Sequence, residues 1–77
     1  MSNVYDDVKT LAGSLSDAGL TLHAGRLNGA LSEGATGTEI FMILRSRLSD
    51  VVNDGVVPRQ YKDVARELRD IVASELK

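Results

Sequence analysis

The sequence predicts an all-α protein, a small four-helix bundle with short connections. Three observations carry this prediction. Apolar residues recur at three- and four-residue spacing in four separate stretches, and glycine, proline or capping residues fall between them. One proline, two tyrosines and one phenylalanine leave a core of Leu, Val, Ile and Ala, the composition of packed helices. The 77 residues make one domain, 1–77.

Ser2 or Asn3 can cap a first helix, on which Val4, Val8, Leu11 and Leu15 share a face flanked by Tyr5 and Ala12. Asp6 and Asp7 occupy its first turn, where negative charge meets the positive end of the helix dipole. The helix ends near Asp17, with Gly19 placed to leave it. Thr21 opens a second, weaker helix from about Leu22 to Glu33, with an apolar strip of Ala24, Leu27 and Leu31. Gly25 and Gly29 lie inside it, each costing about 1 kcal/mol against alanine. Their four-residue spacing predicts a face tightly packed against a neighbouring helix.

The chain is organised around the third stretch, GATGTEIFMILRSRLSDVV from Gly34 to Val52. Thr36 and Glu39 have capping-box spacing, which starts a helix at Gly37 and predicts that the glutamate reaches back to the N-cap amide. Ile40, Phe41, Leu44, Leu48, Val51 and Val52 share a broad face, with Met42 opposite and Ile43 on its shoulder. The helix is either covered on several sides, or Met42 and Ile43 await a partner. Asn53, Asp54 and Gly55 break it. Pro58 suits the first position of a fourth helix, where Tyr61, Val64, Ala65, Leu68, Ile71, Val72 and Leu76 form the cleanest amphipathic stripe in the chain. Arg66 and Asp70 make an i, i+4 pair on its solvated face.

Several chemistries lack their residues. There is no cysteine, and one histidine cannot build a metal cluster, so no metal or other cofactor is expected. His23 has no evident orienting partner, and the serines have no G-x-S-x-G setting, so an enzyme is not expected. Gly34, Thr36, Gly37 and Thr38 lack the lysine of a phosphate loop, and Glu39 would repel phosphate. The net charge is −2 with acids and bases interspersed, unlike a nucleic-acid footprint. No apolar run approaches the roughly 20 residues that span a bilayer. The start MSNVYDDVK is acidic where a signal peptide would be basic, so a cytoplasmic protein is expected.

The run G-x-T-G-T-E-I-x-M-x-L-R resembles one found in small, mostly uncharacterised helical proteins of bacteria. The resemblance implies a bacterial, cytoplasmic origin and assigns neither an activity nor any functional residue. The leading functional expectation is a non-enzymatic protein-protein interaction module, such as an adaptor, inhibitor or immunity protein. Met42 is its first contact residue, because an unbranched thioether adapts to a partner surface, with Ile43, Arg45 and Arg47 flanking it. One alternative is a homodimeric structural or regulatory subunit closed by the same residues. Another is a minimal helix-turn-helix DNA-binding domain, since Ala30, Gly34, Ile40 and Ile43 have its spacing.

Overall fold

Each apolar stretch becomes one helix in the computed structural model, which describes residues 3–77. These are α1 Val4–Asp17, α2 Thr21–Glu33, α3 Gly37–Asn53 and α4 Arg59–Glu75. They form a ring in which α1 packs on α2 and α4, and α3 packs on the same two. Connections this short put sequence neighbours side by side and antiparallel. No helix is central: α3 holds one corner, diagonal to α1. Across that diagonal the Tyr5 and Phe41 rings meet at 5.8 Å with a 46° tilt, which places the starts of α1 and α3 at one end of the bundle.

The helix ends are closed by local chemistry. Asn3 Oδ1 accepts from the Asp6 amide at 3.0 Å, which assigns the first cap to Asn3; the alternative, Ser2, lies outside the described residues. At the other end of α1 the Leu20 amide donates to the Leu15 carbonyl and the Gly19 amide to the Ser16 carbonyl. This doubly bonded C-terminal turn needs a left-handed residue, and Gly19 supplies it at φ 84°. Helix α2 begins at Thr21, one residue before the predicted start, and its N-cap Leu20 makes no side-chain capping bond.

Thr36 Oγ1 accepts from the Glu39 amide at 3.1 Å, as the capping box requires. Glu39 returns one residue further than expected, accepting from the Ala35 amide at 2.7 Å instead of from the N-cap itself. Gly34 ends α2 in an extended conformation, φ −82°. Its requirement for glycine is steric: a Cβ there would lie 2.6 Å from the Ile40 amide nitrogen and 2.7 Å from Ile40 Cγ1. Pro58 is the N-cap of α4 and not its first helical residue, with its carbonyl accepting from the Tyr61 and Lys62 amides.

The core runs through all four helices. Val8, Leu15, Leu27, Leu44, Leu48, Val51 and Val72 are fully buried, and Ala12, Ala30 and Ala65 are buried with them. Val57, in the last connection, closes the α3–α4 end at 3% exposure. Ile40, Phe41, Ile43, Tyr61 and Leu76 pack half-buried around this centre. The glycine face of α2 departs from expectation. Gly25 has no neighbour within 4 Å of a would-be Cβ, and Gly29 lies beneath the ends of the Glu33 and Arg47 side chains. No backbone packs against either glycine, so the small-residue spacing there is not a helix-packing seam.

Candidate functional site

The two opposite seams of the ring are built differently. Between α2 and α3 polar side chains close the surface over the core. Arg47 forms a two-pronged pair with Glu33, one prong at 2.8 Å, and also donates to the Arg26 carbonyl at 2.7 Å. Arg26 reaches Asp50 at 2.8 Å. At the far end of the seam His23 Nε2 lies 2.8 Å from Asp54 Oδ2, tying α2 to the turn after α3. The Arg47 hydrogen bond holds the Glu33 carboxyl below its ordinary value against an opposing cost of desolvation, with a lesser contribution from the Arg47 charge. For Asp54 the His23 bond does the same, helped by the Val56 amide donating to Oδ1 at 3.0 Å.

The His23–Asp54 pair has the form of a base held by an orienting carboxylate. It joins two elements, and its histidine side chain is only 11% exposed. Among the described residues no hydroxyl is hydrogen-bonded to that imidazole, and no group of three His, Cys, Asp or Glu is placed to hold a metal. Its geometry accounts for a fastening between α2 and the α3–α4 turn.

The residues expected to contact a partner separate into two groups. Met42 is 52% exposed and Arg45 is exposed one turn later, so both point outward from α3. Ile43 is half-buried against the core and Arg47 is fastened to α2. Those two residues lie one helical turn apart and share the side of α3 that meets α2. The reason is α2 itself, which lies along that flank and turns Ile43 into packing and Arg47 into an interhelical ion pair. On α3 the outward-facing positive charge is Arg45 alone, which is sparse for a helix entering a DNA groove.

The α1–α4 seam is open. Here the helices are the least closely packed of the four adjacent pairs, and a trough of about 570 Å³ runs between them. Leu11 and Leu68 form its buried floor and Tyr61 one half-buried end, while Val64 and Ile71 stand on the α4 wall at 40% and 48% exposure. The α1 wall carries Asp7, Thr10 and Ser14, and Gln60 and Glu67 complete the α4 side. The Thr10 and Ser14 hydroxyls donate back to the Asp6 and Thr10 carbonyls of their own helix, so their protons are already used.

Val64 and Ile71 were expected in the α4 core stripe, and the structure corrects this. The stripe is broader than the interior can take, and its leading edge is left at the trough. On the solvated face the expected Arg66–Asp70 pair is replaced by Arg66–Asp63 at 3.3 Å and a loose Arg69–Asp70 approach at 3.8 Å. No helix among the described residues is long and apolar enough to cross a membrane. No known protein family, curated protein or solved structure matches the chain.

Proposed function

We propose that this chain is a non-enzymatic protein-interaction module, an adaptor or a small inhibitor or immunity-type protein, and that its working surface is the α1–α4 trough. The observation that carries the reading is the exposure of Val64 and Ile71 on the wall of an apolar trough, in a bundle whose opposite seam is closed by ion pairs. Apolar residues aligned along a groove between two helices are the arrangement that receives an amphipathic helix from another protein. Met42 and Arg45 form a separate, smaller contact surface on α3. A bacterial, cytoplasmic setting belongs to the same proposal and rests on the resemblance of the Gly34–Arg45 run.

The test is to capture partners with the wild-type chain, reconstitute the binary complex from purified components, and measure its mass by light scattering. Val64→Glu/Ile71→Glu should abolish the complex, and Met42→Asp should weaken it far less. A complex lost with Met42→Asp and kept by the trough variant would move the working surface to α3. A concentration-dependent dimer of the chain alone, lost in either variant, would replace the adaptor reading with the homodimeric one.

A further inference from the structure

We infer that two copies of this chain exchange their first hairpins, α1–α2, and close a two-fold dimer that pivots at Gly34. The fold divides at that point. Each helix packs more extensively on its hairpin partner, α1 on α2 and α3 on α4, than on its neighbour in the other hairpin. What joins the hairpins is the open trough on one side and, on the other, a seam where α2 buries Ala24, Leu27 and Ala30 beneath water-exposed ion pairs. Two alanines and one leucine are a thin anchor, so the hairpins part more readily than either unravels. The same hairpin of a second copy fits the vacated surface residue for residue, restoring the Arg26–Asp50 and Arg47–Glu33 pairs and the Tyr5–Phe41 contact.

Because exchange repeats every contact between the hairpins, the connection and the protein concentration decide the balance. The connection is short, residues 34–36. In the closed form it folds α3 back so sharply that a Cβ on Gly34 would lie 2.6 Å from the Ile40 amide nitrogen and 2.7 Å from Ile40 Cγ1. Opening the turn carries Ile40 away and removes this crowding. The other fastenings belong to the start of α3 and survive opening, since Thr36 caps the Glu39 amide and Glu39 holds the Ala35 amide. Extended, the four steps from Glu33 to Gly37 span about 13 Å, enough to cross the roughly 8–10 Å between neighbouring helices. Exchange leaves two intact troughs, so this inference does not rest on the trough being a working surface.

The experiment refolds the full chain from urea at micromolar and at millimolar concentration, because exchange requires the hairpins to part, and measures mass by light scattering. The wild type should dimerise on refolding at the higher concentration. Gly34→Ala, whose Cβ the closed turn excludes, should dimerise at least about tenfold more tightly. Inserting Gly-Ser-Gly-Ser after Ala35 in the wild type should return it to a monomer, since a longer connection closes without crowding. Val64→Glu/Ile71→Glu and Met42→Asp should dimerise as the wild type does. The decisive readout is a dimer refolded from an equal mixture of isotope-labelled and unlabelled chains, in which filtered NOEs should link the Tyr5 ring of one copy to the Phe41 ring of the other. A wild type that stays monomeric at both concentrations would overturn the inference. So would a dimer whose Tyr5–Phe41 NOEs stay within one copy, or one that survives the insertion. Gly34→Ala folded but no tighter than the wild type would overturn the pivot at Gly34.

Discussion

At the scale of single residues, the glycines separate conformation from space. Gly19 is needed for its positive φ, and Gly34 for the room it leaves beside Ile40. Gly25 has neither reason, since it is exposed within α2 with nothing within 4 Å of a would-be Cβ. Gly25→Ala should therefore raise unfolding free energy by about 1 kcal/mol, the helix-propensity difference between the two residues. Gly34→Ala should lower it by about 1–3 kcal/mol through overpacking against Ile40. Urea unfolding of both variants checks the pair, and a loss of stability in Gly25→Ala would mean that a close contact exists there. Thr36 and Glu39 were legible as a cap from spacing alone, because the bond is local. The steric role of Gly34 was not, because it depends on how far α3 folds back over the end of α2.

Between elements, the α2–α3 seam is electrostatic and should respond to acid. Glu33 and Asp54 are both held below their ordinary values, 4.5 and 3.8, by Arg47 and His23 respectively. A carboxylate with a depressed folded-state pKa contributes stability above its unfolded value and loses it as pH falls through the folded one. The contribution of these pairs is accordingly complete at pH 7 and declines below about pH 4.5, first as Glu33 and then as Asp54 enters its range. Unfolding midpoints at pH 7, 5 and 3 should be level between the first two and fall modestly between the last two, as solvent-screened pairs allow. Glu33→Gln/Asp54→Asn should start lower at pH 7 and lose less on acidification. Parallel pH profiles for the two proteins would show that these carboxylates do not carry the acid response. Sequence order hid this seam: Arg47 is fourteen residues from Glu33, and His23 is thirty-one from Asp54. The arginine therefore read as an interface residue and the histidine as unpartnered.

Across the whole molecule, periodicity made the four helices legible and left the two seams indistinguishable. The apolar positions of α4 from Tyr61 to Leu76 span an arc of about 140° at 100° per residue, wider than one helix in a four-membered ring needs to bury. That excess was the available signal for the trough. Without the position of α1, however, a wide stripe reads simply as a strong core helix. Met42 was legible as an outlier because it lies opposite its helix's apolar face, whereas Val64 and Ile71 lie at the edge of theirs. An open trough requires those two residues to be surplus to the fold, and the most direct measurement is the unfolding free energy of Val64→Glu/Ile71→Glu beside Leu68→Ala. The double variant should stay within about 1 kcal/mol of the wild type, as surface substitutions do, while Leu68→Ala, at the trough floor, should cost about 2–5 kcal/mol. A double variant as unstable as Leu68→Ala would show that Val64 and Ile71 are core residues and that the trough is closed in solution.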